Sequence, residues 1–432
     1  MKNMAKHTGR FLKEEGGYLN IANFLHERNA TVSDQAGRQR GSLPIPLGDY
    51  KLVFNRLPQF FDTVTSGTAD VTYNSVRKSH KFETTADDDY AIVQTYQRHN
   101  YFAGKSQFIE LTSFAFHDQS NVEKRYGYYS SSVVAPHQAN LDGFYLYTDG
   151  TGHYLRIVNN GTEILNVPQS EWDDPLDGTG ASGFTIDWAK FNVFQFSFLW
   201  LGGTGLRFSI VVGSRIIQVY DYAHVGSVNS DKLIFSRPSK PIRMEMIQSG
   251  AGSGLFEPVC STVITEGSES SGNIGEVLSF DSGSANNIKL SYPERGVVKG
   301  VRLKPDCLCT IIDILGIDTF ANSVNDFYKW EIVLNPSLVD GDGVVKTLTF
   351  VDVPDRQIQQ TTGDGATFAV GGTVIESGYG SARALVSAPV ESARKLGASI
   401  TGVTDELYLV ISPLQGTTNI QVFGGINIKS FV

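Results

Sequence analysis

Cysteine is scarce in this 432-residue chain: Cys260, Cys307 and Cys309 are all it has. No pair of histidines stands near them at ligand spacing, which argues against a zinc site and leaves reduced thiols as the plain reading. Cys307 and Cys309 are one residue apart, a spacing that in a strand puts both on one face. Charge is scarce too, at 19% of residues, and the net value is −9. A nucleic-acid surface needs clustered Lys and Arg, so nucleic acid is not expected as the main partner. Only the opening, with Lys2, Lys6, Arg10, Lys13, Arg28, Arg38 and Arg40, leans basic. No run approaches the roughly 18 apolar residues that span a bilayer. The first residues carry no apolar core ahead of a cleavage site, so neither a membrane nor a secretion signal is expected. Also missing are a Walker loop, a dinucleotide fingerprint and a Gly-x-Ser-x-Gly elbow.

What the chain has is aromatic residues, at 11%, and 44 glycines, a combination suited to short strands separated by turns. Between Asn192 and Trp200 the even positions carry Phe194, Phe196, Phe198 and Trp200, while the odd ones include Gln195 and Ser197. The even face resumes after Gly202–Gly205 as Leu206, Phe208, Ile210 and Val212, and Gly213–Ser214 turns into a third strand at Arg215–Tyr220. Period two on three strands predicts an antiparallel meander whose aromatic side is covered by a second sheet. Upstream, Asp149-Gly150 and Asn159-Asn160-Gly161 are hairpin turns. No segment from Tyr50 to Met246 holds a helical period over ten residues, so an all-β sandwich is expected.

The boundaries follow from composition. Residues 1–49 read as an extended N-terminal arm, 50–250 as a jelly-roll β-sandwich, 251–275 as a Gly/Ser-rich linker and 276–432 as a second β-sandwich. Within the arm, Asn20–Arg28 has room for two helical turns.

The candidate sites each have a plainer alternative. Asp174 and Asp177 are the calcium candidates, because Asp-Gly loops supply carboxylate and carbonyl oxygens, yet Asp and Gly are also what any tight turn prefers. A glycosidase needs two carboxylates facing each other across a groove. Glu83, Glu110 and Glu163 lie on strands, nothing pairs any two of them, and solvent-facing positions account for all three. The eight histidines are scattered, with no two at ligand spacing on one element. Tyr126, Tyr128, Tyr145 and Tyr147 are the candidates for glycan binding, since aromatic faces stack on sugar rings; strand packing alone buries about half of such residues. No cofactor is expected.

One resemblance adds to this. The run from Trp172 through DPLDGTGASGFTIDWAKFNVFQFSFLWLGGTGLRFSIVV to His224, with the Arg98–Gly104 turn and the Arg125-Tyr126-Gly127-Tyr128 strand, resembles structural proteins of tailed bacteriophages and large DNA viruses. It implies a lectin-like jelly roll over roughly residues 90–250 and a virion setting, and it carries over no catalytic residues. The expectation is therefore a non-enzymatic virion component, a fibre, spike, tail-associated or head-decorating protein. Such a protein would be assembled in the host cytoplasm, attach through its N-terminal arm to other virion proteins and form a homo-oligomer, a trimer or a ring. The alternative is a carbohydrate-binding module that recognises a host-surface glycan.

Overall fold

The computed structural model describes residues 12–14, 17–19, 44–266, 276–283, 288–291, 294–308, 310–322, 327–381, 384–389, 395–414 and 420–431. Most of the expected arm, and Cys309, lie outside these. Within the arm, β1 (Leu12–Glu14) pairs antiparallel with β2 (Gly17–Leu19). The chain forms two compact units, Met1–Thr95 with His99–Asn273, and Tyr96–Arg98 with Ile274–Val432.

The first unit contains β3 (Pro44–Lys51), β4 (Phe61–Ser66), β5 (Asp70–Asn74), β6 (Ser79–Thr84), β7 (Tyr90–Thr95), β8 (Gln107–Phe114), β9 (Val122–Ser130), β10 (Asp142–Thr148), β11 (His153–Asn159), β12 (Thr162–Pro168), β13 (Asn192–Leu199), β14 (Gly205–Val212), β15 (Arg215–Ala223), β16 (Ile242–Gln248) and β17 (Gly254–Glu266). Two antiparallel sheets result. One has seven strands in the order β12-β11-β10-β9-β16-β7-β4. The other runs β15-β14-β13-β8-β17-β6-β5, with β3 added on β17. This is the expected all-β jelly-roll sandwich.

The aromatic meander behaves as its alternation predicts. Phe196 pairs across the strands with Phe208 and Phe198 with Leu206, and Phe194, Phe196, Phe198 and Phe208 are all fully buried in the core between the sheets. Phe196 packs against Phe144 of the opposite sheet at 5.2 Å between ring centroids, and Phe144 also meets Phe198 and Tyr128.

Two boundaries differ from the sequence reading. Residues 44–49, assigned to the arm, belong to β3, a strand of the second sheet. Residues 254–266, assigned to the linker, form a strand of 13 residues that pairs with β3, β6 and β8. Glycine and serine flank the strand at 250–253 and 267–273, and its core residues Phe256 and Val263 fall out of period two because the register shifts between Pro258 and Ser261.

The second unit is again all strand: β18 (Glu276–Asp281), β19 (Ile288–Leu290), β20 (Gly296–Leu303), β21 (Ile311–Asn322), β22 (Phe327–Leu334), β23 (Ser337–Val339), β24 (Val351–Asp352), β25 (Ile358–Thr362), β26 (Phe368–Val370), β27 (Thr373–Ser381), β28 (Leu385–Pro389), β29 (Glu406–Pro413) and β30 (Ile420–Phe431). They form a five-stranded sheet built on β18-β30-β21-β28 and an eight-stranded sheet built on β23-β26-β20-β29-β22-β27. Between them lies a core of Val298, Val301, Ile317, Ile332, Leu409 and Ile426 among others.

Candidate functional site

The seven-stranded sheet of the first unit has an inner face that makes the core and an outer face that sequence reasoning treated as solvent-exposed. Strand alternation assigns the tyrosines to the two faces. Tyr126 and Tyr128 point inward: the Tyr126 hydroxyl donates to the Cys260 carbonyl at 3.1 Å and the Tyr128 hydroxyl to the His99 carbonyl at 3.0 Å. They are core residues, and as glycan-binding candidates they are corrected. Tyr145 and Tyr147 lie on the outer face with Tyr129 and Tyr154, in a separate apolar cluster with Leu141 and Val158.

Register builds that outer face into two rows crossing the strands. In one row Gln94 (β7) pairs with Arg243 (β16), Arg243 with Gly127 (β9), Gly127 with Tyr145 (β10), Tyr145 with Arg156 (β11) and Arg156 with Asn166 (β12). In the next, Ile92 pairs with Glu245, Glu245 with Arg125, Arg125 with Tyr147 and Tyr147 with Tyr154. Gly127 is required where it stands, because a Cβ there would meet the Phe144 carbonyl oxygen at 2.3 Å and Tyr145 Cα at 2.5 Å. Tyr129 is paired with Gly143 in the same way. A glycine opposite each ring lets the two phenols lean together, with centroids 4.7 Å apart.

The charged groups form one network. Glu245 is fully buried between two arginines, accepting from Arg243 Nε and from Arg125 NH1, the latter at 2.9 Å. Arg243 also donates to Gln94 Oε1 at 2.8 Å and to the His137 carbonyl at 2.6 Å, and Arg125 Nε donates to Glu123 at 2.6 Å. Burial works against the charged form of Arg125, but the Glu245 and Glu123 carboxylates more than reverse it and hold the guanidinium protonated. Arg243 sits 5.8 Å from the centroid of the Tyr129 ring, Arg125 6.0 Å from that of Tyr145, and Arg156 5.7 Å from that of Tyr147.

On this face the hydroxyls of Tyr129 and Tyr145 and Nε of Arg156 are buried without a hydrogen-bond partner, as is Nδ1 of His137, whose carbonyl accepts from Arg243. Burial raises both phenols, that of Tyr145 to about 12, so each hydroxyl keeps its proton and is a donor. Buried polar atoms are nearly always satisfied, by ordered water where not by protein, so these orphans leave hydrogen-bonding capacity for a partner from outside the chain. Towards the edge the buried Tyr147 stacks on the half-buried Tyr154 at 4.9 Å and 17° and donates to the exposed Asn166 at 2.9 Å, and Arg156 meets the exposed Glu163 at 2.6 Å. Glu245 is engaged by arginines on both oxygens, so its role is to hold the guanidiniums in place.

The other candidates fall elsewhere. Asp174 accepts from the backbone N–H of Leu176 at 3.2 Å and of Ser182 at 2.8 Å, and Asp177 from the N–H and hydroxyl of Thr179 at 2.8 and 2.6 Å. Gly180 lies so close that a Cβ there would meet Asp174 Oδ1 at 2.2 Å. Each carboxylate braces its own turn, and among the described residues no three His, Cys, Asp or Glu side chains converge as a metal site. Glu83 pairs with Lys81, Glu110 accepts from Gln195, and Glu163 belongs to the edge of the face just described. Sequence reasoning assigned no role to Arg243, Glu245, Arg125 or His137. A signal was present in Arg243-Met244-Glu245-Met246, whose charges alternate with core methionines, but nothing in it tells that the charged side is buried.

Comparison with known proteins gives fold and little else. No family model matches the chain, and no curated protein matches it in sequence. Solved structures similar to it include the β-glucanase of Bacillus licheniformis (10% identity, TM-score 0.33, covering 51% of this chain and 99% of that one). A legume lectin-like domain from Entamoeba histolytica matches at 9% identity and TM-score 0.34, over 51% of this chain and 97% of that one. A carbohydrate esterase of the Shiga toxin-encoding bacteriophage phi24B matches at 14% identity and TM-score 0.33, over 52% of this chain and all of that one. The jelly roll that the resemblance implies stands on the strand order of the two sheets, and nothing in these comparisons bears on a virion setting. The expectation of a chain without enzymatic activity is withdrawn, since enzymes such as the glucanase and the esterase stand among these structures.

Proposed function

We propose that the first unit recognises carbohydrate on the outer face of its seven-stranded sheet. The observation that carries this is the buried polar atoms without a partner, the hydroxyls of Tyr129 and Tyr145 and Nε of Arg156, on the same face as the stacked pair Tyr147 and Tyr154. A sugar presents hydroxyls that both donate and accept, with an apolar ring face between them. That chemistry matches a row of orphan polar atoms next to tyrosine faces. The charges on the face balance, with Arg125, Arg156 and Arg243 against Glu123, Glu163 and Glu245, each arginine paired. This favours a neutral glycan over a uronate.

The test is calorimetric titration of the full chain with a panel of neutral oligosaccharides from bacterial surface polysaccharides. Binding that weakens at least tenfold in Tyr147→Ala and in Tyr129→Phe supports the reading. No binding across the panel, or binding untouched by both substitutions, refutes it. Incubation with the same glycans followed by a reducing-sugar assay reads whether binding leads to cleavage.

The setting we propose for this binding is the surface of a virus particle, with the chain as an appendage component that meets other virion proteins and further copies of itself. It rests on the sequence resemblance around Trp172–His224. Mass spectrometry of purified particles tests it, and absence of the chain from particles that infect normally would refute it.

A further inference from the structure

The second unit carries a cavity of about 840 Å³ that the carbohydrate reading does not use. Its walls come from β18 and the residues after it (Leu278, Phe280), from the stretch leading to β24 (Leu348, Val351), and from β25 (Thr362), and β20 contributes one cation, Lys299. We propose that this cavity binds a small monocarboxylate with an apolar body, its carboxylate seated on the Lys299 ammonium.

Lys299 is 4% exposed. An ammonium has three donors. Among the described residues Lys299 has one acceptor, Thr362 Oγ1 at 3.0 Å, and no carboxylate within ion-pair distance. Buried Arg243 and Arg125 share Glu245, and Lys124, fully buried without an acid at ion-pair distance among the described residues, donates to two carbonyls, of Ala115 and His117 at 2.8 and 2.7 Å, where Lys299 has a single acceptor. A cation left in that state costs free energy unless a counter-charge joins it. The counter-charge from Asp281 is incomplete: it lines the same cavity and attracts Lys299, but it is exposed and its Oδ1 accepts from the Gly283 N–H at 2.7 Å. Burial lowers the Lys299 pKa more than Asp281 raises it, the balance expected of an amine that lacks a close anion.

The rest of the lining selects the body of the ligand. Leu278, Phe280, Leu348, Val351 and Val353 give an apolar side, serine, threonine and glutamine residues line the remainder, and Lys299 is the single cation. A phosphate group with nearly two charges would need more donors than one amine supplies. The volume falls within the range of cavities that enclose small organic ligands. A lone carboxylate with a hydrocarbon or aromatic tail meets all three features.

The experiment titrates the full chain at pH 7 with octanoate, octanol and inorganic phosphate by calorimetry. Octanoate is expected to bind at least tenfold more tightly than octanol, and phosphate more weakly than octanoate. Lys299→Met keeps the volume and removes the charge, so octanoate affinity should fall to that of octanol. As Lys299→Met could disturb the strand, Asp281→Asn provides a second test at an exposed position: it removes a competing negative charge and should tighten octanoate two- to fivefold with octanol unchanged. Equal affinity for octanoate and octanol overturns the proposal, as does tighter binding of phosphate, or no response of octanoate to either substitution. The cavity belongs to the second unit, so loss of glycan binding in the first unit leaves this outcome untouched.

Discussion

Removing the carboxylate of Glu245 is the sharpest perturbation of the outer face. The residue is fully buried, and its two oxygens accept from Arg243 and Arg125, which are themselves almost wholly buried. In Glu245→Ala both guanidiniums stay in place without their shared anion. Arg125 keeps Glu123, and Arg243 keeps only the neutral oxygens of Gln94 and His137. Breaking a buried pair from one side costs about 3–5 kcal/mol, chiefly as the penalty of the charge left behind. Against a domain stability of about 5–15 kcal/mol that is a large share. Glu245→Gln should cost less, because the amide oxygen still accepts from one arginine; about 1–3 kcal/mol is expected from the charged hydrogen bond lost. Urea denaturation followed by tryptophan fluorescence reads the effect. The chain has four tryptophans, of which Trp330 lies in the second unit, so a Trp330→Phe background makes the signal report the first unit alone. Adding Arg243→Met to Glu245→Ala should recover at least about 1 kcal/mol, since the uncompensated charge goes with it. A Glu245→Ala protein within about 0.5 kcal/mol of the native one, the range of ordinary surface changes, would show that water reaches this network freely and that the buried-network argument fails.

Further outcomes follow from other sites. Phe196→Ala empties the centre of the aromatic core and should cost about 3–5 kcal/mol in the same denaturation. Gly127→Ala forces a Cβ against the backbone of β10, so a loss of about 1–3 kcal/mol is expected, together with weakened glycan binding as Tyr145 is displaced. His80 is buried against Phe61, and burial first, then the Arg56 charge, lowers its pKa to about 3. A depressed histidine contributes stability above its unfolded pKa near 6.5 that is lost as pH falls toward 3, so His80→Phe should melt higher than the native chain at pH 5. Asp89 is lowered to about 2: burial opposes its charge, and donors from Thr68, Thr85 and Ala86 outweigh it. Its contribution is present above pH 4 and lost toward pH 2, and Asp89→Asn should flatten that part of the melting temperature profile.

How far the sequence could be read depends on which property of a residue mattered. Phe194, Phe196 and Phe198 announce a covered face because alternation is local and their burial follows from hydrophobicity alone. The hairpins at Asp149-Gly150 and Asn159-Asn160-Gly161 were legible for the same reason: a left-handed turn residue acts within two positions of itself. Which face Tyr126 and Tyr145 occupy was not legible. Both sit in alternating strands, and only cross-strand register puts Tyr126 in the core and Tyr145 beside Arg125 and Arg156. The charged network was more remote still. Glu245 lies 120 residues from Arg125, and no spacing along the chain predicts that the two share one row. The strand at 254–266 was lost to its glycine- and serine-rich flanks, and its partners at 44–51 and 107–114 are far upstream.

That strand also sets the order in which the molecule can be made. β16 fills the gap between β9 and β7, and β17 the gap between β8 and β6, so the last two strands of the first unit occupy the middle of its two sheets. Until residue 266 has left the ribosome, each sheet exists as two halves with open edges, and Phe256 and Val263 have not reached their places in the core. About 200 residues of aromatic-rich chain must therefore wait unclosed through synthesis, at a few to tens of residues per second. Pairings this distant in sequence are slow to form, and the waiting edges invite pairing with other nascent copies. A chain cut short before residue 254 would thus be lost as aggregate, however complete its meander.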